Sequence, residues 1–462
     1  ASNNVAVGFQ SLLSNTTGTN NVALGSSAGA ALTTGSSNIL IGSNTGDALT
    51  TANENVAVGH FSMSNNVLGA KNVAIGASTL SATNPASAAD MYNVAVGFQA
   101  GNAVTTGIQN TFVGGLSGDA TTTANNNAAF GYGSLGANTT GALNTAIGSG
   151  ALFNNTTASN NTAVGTNALL ANTTGLYNTA IGTLSLDANT TASFNTALGT
   201  FSLTTNTTGH SNTALGYSAL ELNTTGIRNL AVGMQSLEAN TTGSSNVAVG
   251  NSALFANTTA SNNTAVGYAS LNANTTGHEN SALGRNSLAA NTTGQHNTGT
   301  GDSVLASTTT GSYNTAFGSA ALYNNTTASN NTAVGYSVLL TNTTGSENTG
   351  LGHNALYGTT TGTGNTGIGQ GALQTNTTGA TNTAVGQGSL ALNTTASDNS
   401  AFGKNALAAN TTGAGNVAVG RSSLTANTTG ASNVAVGALA LDANTTASSS
   451  VAVGNGALGA NT

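Results

Sequence analysis

The sequence predicts an all-β fold, a parallel β-solenoid (β-roll) of about 27 coils with a 17-residue repeat. Three observations carry this expectation. A glycine recurs at Gly8, Gly25, Gly42, Gly59 and Gly76, then at Gly97, and from there every 17 residues to Gly454, and all 27 copies keep it. The apolar runs between glycines are too short for a helix, which needs a stripe of 3.6-residue period over ten or more residues. The charges are sorted by phase. Counting from the Asn four residues before the glycine, every Asp, Glu, Lys and Arg outside one insertion falls at position 6, 10 or 17. A disordered polar chain has no reason to sort its charges; in a stack of like coils each position meets one environment.

Each element of the coil follows from the copy at residues 144–160. Positions 1 to 5, Asn144-Thr145-Ala146-Ile147-Gly148, read as a short strand, with β-branched or aromatic residues recurring at position 4. The glycine closes it. Gly8, Gly148, Gly165 and Gly454 are expected to adopt a turn conformation closed to a Cβ, or to allow close backbone approach. A second short strand is expected around positions 8 to 10, where position 9 is Leu in 22 of 27 copies. Asn-Thr-Thr-Gly or Asn-Thr-Thr-Ala then makes the second turn. Position 1 is Asn in 26 copies, and position 12 is mostly Asn. Stacked about 4.8 Å apart, such amides can hydrogen-bond as ladders. Residues 1–462 read as a single continuous repeat domain, interrupted at 77–92 by a coil with a four-residue insertion around Pro85, the only proline. At about 4.8 Å per coil the rod would be roughly 130 Å long.

Position 4, the larger residue, is expected to face the core, so that Val164→Asp blocks folding while Thr166→Asp does not. Position 3 on the opposite face is apolar too. Both faces look buried, and one of them needs a second surface, so a homo-oligomer is expected.

Composition excludes several classes. Only 4% of residues are charged, against about 25% in ordinary domains. A net charge of -7 offers no footprint for nucleic acid and no polybasic membrane patch. No stretch approaches the roughly 18 apolar residues of a membrane span. There is no cysteine, hence no disulfide and no thiolate site.

Runs such as Asn314-Thr315-Ala316-Phe317-Gly318-Ser319-Ala320-Ala321-Leu322 followed by Asn325-Thr326-Thr327-Ala328 resemble repeats of phage tail-fibre-like proteins. Val73-Ala74-Ile75-Gly76 is similar to the strand of the head repeats in trimeric autotransporter adhesins. The resemblance implies trimers of left-handed β-rolls serving as stalks or attachment heads.

No catalytic constellation, cofactor site or metal site is expected. The five histidines, His60, His210, His278, His296 and His353, fall at positions 6, 16 or 17, the outer turns, with no paired ligand spacing. Glu279 and His296, on successive coils, read as a surface pair, and Glu221 and Glu238 stack at position 10. Asn-Thr-Thr occurs 18 times, and Asn155, Asn172 and Asn189 are formal N-glycosylation sequons that also serve as turn and ladder elements. Tyr132, Tyr217, Tyr268 and Tyr336 at position 6 are the candidate surface-binding residues. The expected protein is a structural, non-enzymatic fibre or adhesin rod, extracellular, at a cell surface or in a virion fibre, with a host-surface or glycan receptor as its partner. The alternatives are an ice-binding solenoid and a subunit of an end-to-end filament. The latter draws on terminal copies that are as regular as the inner ones; the same regularity suits a segment of a longer polypeptide, which is the favoured expectation of the two.

Overall fold

A computed structural model describes residues 1–462 and shows an all-β parallel β-solenoid without helices. Each 17-residue coil contributes one three-residue strand. The chain divides into two compact units, Ala1–Asn229 and Leu230–Thr462. Within each unit, every strand pairs in parallel and in register with the strand of the next coil. Thr145 lies opposite Thr162, Ala146 opposite Ala163 and Ile147 opposite Val164. Thr298, Gly299 and Thr300 likewise meet Thr315, Ala316 and Phe317.

The strand faces are reversed from the expectation. Position 3 points inward and positions 2 and 4 point out: Ala146 and Ala163 are fully buried, whereas Ile147 is 41% exposed. The reason is space. Inside the coil, the position-3 side chain lies between the position-9 leucines of its own and the preceding coil, and only Ala or Gly fits. The two large exceptions prove the constraint. Leu40 and Phe112 occupy position 3 only where both flanking position-9 residues are glycine. A Cβ on Gly29 or Gly46 would lie 2.8 and 2.9 Å from Leu40 methyls, and one on Gly118 would lie 2.4 Å from the Phe112 ring.

The expected second strand is absent. Positions 5 to 12 instead form three consecutive tight turns. In the copy at 144–160, the Ala151, Phe153 and Asn155 amides donate to the Gly148, Gly150 and Leu152 carbonyls, at 3.3, 3.2 and 3.2 Å. The first two turns carry a left-handed residue in third place, Gly150 (φ 67°) and Leu152 (φ 52°), as type II turns require. The intervening amides bond to neighbouring coils, Leu152 to Ala168 O at 3.0 Å and Asn154 to Leu170 O at 3.0 Å. Left-handed backbone costs a leucine about 1–2 kcal/mol. Its complete burial returns roughly 1.5–3 kcal/mol, so the trade is favourable. A β-branched side chain would be strained there, and position 9 holds only Leu, Met63 or Gly.

Gly148 satisfies both readings of the turn glycine. Its φ is 129°, and a Cβ there would lie 2.5 Å from Gly165 O of the next coil. Gly8 (2.4 Å from Gly25 O) and Gly165 (2.6 Å from Gly182 O) repeat the close approach, and Gly454 shares the positive φ at 131°.

Two asparagine ladders line the interior. At position 1, Asn144 Nδ2 donates to Ala158 O of its own coil at 2.9 Å, and its Oδ1 accepts the Asn161 amide at 3.0 Å. At position 12, Asn155 Nδ2 donates both to Asn138 Oδ1 and to Ala158 O, each at 2.9 Å. The position-15 carbonyl is therefore the meeting point of both ladders, and it stays paired inside the coil.

At the insertion, Val73 pairs with Val94 in unbroken register, 21 residues on. The extra residues bring Ala89–Asp90 alongside Gly69–Ala70 as a separate two-stranded sheet.

Candidate functional site

The outward strand face is the most continuous surface feature. Positions 2 and 4 of successive coils stack in register, forming an apolar stripe on each unit. In the first unit, Phe130, Ile147, Leu198 and Leu215 are each about 40% exposed at position 4. In the second, Leu283, Phe317, Leu351 and Phe402 are 40 to 46% exposed at the same position. Position 2 adds valine or isoleucine in the first coils and unbroken threonine runs further on, Thr145 to Thr213 and Thr298 to Thr383. The first unit has thirteen three-residue strands. At about 4.8 Å per coil, its stripe extends for roughly 60 Å. Contiguous apolar surface beyond a few hundred Å² marks an interaction surface.

The outer turns carry the aromatic and charged residues. Tyr132, Tyr217, Tyr268 and Tyr336 are 64, 51, 58 and 56% exposed, each on its own coil. Residues 17 apart stack up the turns: Tyr177 on Phe194 at position 17, 5.3 Å between centroids, and Tyr336 on His353 at position 6, 5.5 Å. Arg285 forks onto Asp302 across successive position-6 sites, Nε to Oδ1 at 2.8 Å and Nη2 to Oδ2 at 3.1 Å. At the insertion, Lys71 donates to Asp90 Oδ2 at 2.8 Å and lies over the Tyr92 ring at 5.3 Å. That carboxylate holds the Lys71 ammonium above its ordinary range. Asp90 also lines a shallow cleft with Thr51, Ala52, Asn53, Leu68 and Ala88.

Position 10 is half-buried. Desolvation raises the pKa of Asp47, Asp119 and Asp187, and Asp187 Oδ1 is enclosed without a hydrogen-bond partner. Glu221 and Glu238 fall in different units.

Asn155, Asn172 and Asn189 are fully buried, with each Nδ2 committed to two hydrogen bonds of the position-12 ladder. A glycan on any of them would have to replace both bonds from inside the coil.

Glu279 and His296 do touch, at 3.0 Å between Oε2 and Nδ1. His278, on the outer turn beside Glu279, joins them with Nδ1 at 3.7 Å from Oε1. The signal for this third member was its position-16 phase, next to Glu279 in sequence. No protein-family model matches the chain, and no curated protein is significantly similar to it.

Proposed function

We propose that this chain is a non-enzymatic structural rod segment of an extracellular fibre or adhesin, whose copies associate side by side, as a trimer, through the outward strand face. The observation that carries the reading is the in-register apolar stripe at position 4, exposed on both units. An apolar row of this length in water favours burial against a second surface. A second copy offers a matching row with the same 17-residue spacing. The exposed tyrosines on the outer turns would then remain available to a host-surface or glycan receptor, consistent with the resemblance to tail-fibre and adhesin-head repeats.

The test is the mass of the native particle, by sedimentation velocity, for the wild-type chain and for Ile147→Lys combined with Ile181→Lys. The wild type is expected to sediment as a trimer. The variant is expected to dissociate while keeping its β-sheet circular dichroism, because both side chains point away from the core. A folded wild-type chain that stays monomeric at all concentrations would refute the reading.

One observation favours a second reading, an ice-binding solenoid. The position-2 threonines face outward, two residues from a β-branched or leucine side chain, and repeat in register from Thr145 to Thr213. Thermal hysteresis from a monomeric wild-type chain, abolished by Thr179→Lys, would favour that reading over the fibre.

A further inference from the structure

We propose that His278, Glu279 and His296 form a binding site for one divalent transition-metal ion of the zinc type. All three lie on the outer turns of two successive coils in the second unit, and their donor atoms fall within 4.8 Å of one another. Glu279 is central, with Oε2 at 3.0 Å from His296 Nδ1 and Oε1 at 3.7 Å from His278 Nδ1. Zinc binds imidazole nitrogen and carboxylate oxygen at about 2.0–2.2 Å, so neighbouring donors in a tetrahedral site lie roughly 3.3 Å apart. The two observed separations bracket that value. The two distances are to different oxygens of Glu279, and side-chain rotation would have to close the spread of up to 4.8 Å to bring the three donors onto one ion.

The scaffold holds the donors in place. The His296 amide donates to His278 O at 3.2 Å, and the Glu279 amide to Ser261 O at 3.2 Å, so both backbones are tied into the stack. The His296 ring is stacked on Tyr313 (4.9 Å between centroids, 12° between planes) and meets the His278 ring edge-on at 5.3 Å. A ring packed on both sides loses less freedom on binding than a free one. Two nitrogen donors and one carboxylate select borderline transition ions over Ca²⁺ and Mg²⁺, which take oxygen ligands. Three protein ligands leave a fourth position open to water. An isolated surface ion pair would need only Glu279 and His296; the second imidazole is what makes the group a ligand set.

The experiment is calorimetric titration of the full chain, free of any affinity tag, with ZnCl₂. One saturable site per chain is expected. His296→Gln, His278→Gln and Glu279→Gln should each weaken it at least about tenfold, the loss that even outer-shell partners of a metal can cause. His210→Gln, which alters an imidazole at the same position 16 on a distant coil, should leave binding unchanged, and CaCl₂ should not compete. Zn²⁺ should raise the melting temperature of the wild type more than that of the three variants. Should one variant fail to fold, the other two carry the same comparison. Absence of a saturable site in the wild type, or equal binding by folded His296→Gln, would overturn the proposal. Either outcome is independent of whether the chain forms a trimer.

Discussion

Ala163 and Val164 are adjacent in sequence and meet opposite environments. Ala163 is enclosed between stacked leucines, and Val164 lies on the outward face. Ala163→Asp would bury an unpaired carboxylate with no room for it, at a cost of several kcal/mol. Val164→Asp and Thr166→Asp leave the charge in water. Urea unfolding of the three variants is expected to show a large loss for Ala163→Asp alone; equal losses at 163 and 164 would mean that the strand faces are misassigned. Asp187 illustrates a smaller conflict. Burial raises its folded-state pKa above the ordinary 3.8, so the folded chain binds that proton more tightly than the unfolded chain. Stability from this group is therefore highest in acid and falls as pH rises from the ordinary aspartate value through the raised folded one. Asp187→Asn is expected to melt above the wild type at pH 7, with the difference vanishing near pH 3. A difference that grows in acid would contradict the sign.

The position-12 ladder shows how an element depends on its repetition. It runs unbroken from Asn138 to Asn223 in the first unit, each Nδ2 donating to the Oδ1 below at 2.8 to 3.1 Å. In the second unit Thr308 and Thr359 interrupt it. At Thr308 the hydroxyl is met by Asn325 Nδ2 only at a long 3.4 Å, and at Thr359 the step is not spanned, so Thr359 Oγ1 and Asn342 Oδ1 are both left buried without a partner. Asn376 Nδ2 retains only its bond to Gly379 O, while its Oδ1 still accepts from Asn393 Nδ2 at 2.7 Å. Thr359→Asn should restore a bond to the coil below and one to the coil above. At about 1 kcal/mol per net hydrogen bond, thermal denaturation is expected to show a gain on the order of 1–3 kcal/mol. An unchanged or lower melting temperature would show that the ladder contributes shape rather than stability.

Within a unit, every coil touches only the coils before and after it, so stability is a sum of local and nearest-neighbour contributions. Damage should stay local. Gly148→Ala forces a Cβ onto the next coil's backbone at a positive φ. Hydrogen exchange is expected to speed up in the coils flanking residue 148 while the amides of Val22–Leu24 and Val56–Val58 stay protected. Uniform loss of protection across the first unit would point to a single cooperative domain instead. The same arithmetic explains how a chain with so few charges and such small core residues holds together. No coil contributes much, and many coils contribute alike.

Much of the architecture was legible because repetition amplifies weak signals. The period, the glycine turn, the asparagine ladders and the outward phase of positions 6 and 17 all follow from residue type recurring at fixed spacing. The pairing of Leu40 with Gly29 and Gly46, and of Phe112 with Gly101 and Gly118, was also present in the letters, as large residues at position 3 beside missing leucines at position 9. What only the tertiary structure decided is which face of each strand turns inward. Alternation says that Ala146 and Ile147 point opposite ways, but both are apolar, so hydrophobicity cannot choose between them. The choice is made by volume, since stacked leucines inside the coil leave room for a methyl group and nothing larger. Tertiary structure also decided that positions 7 and 9 adopt left-handed backbone, turning an expected second strand into turns, because burying the leucine outweighs its local strain. And it brought His278 to Glu279 and His296, since side-chain direction on an outer turn is set by backbone that the repeat pattern does not specify.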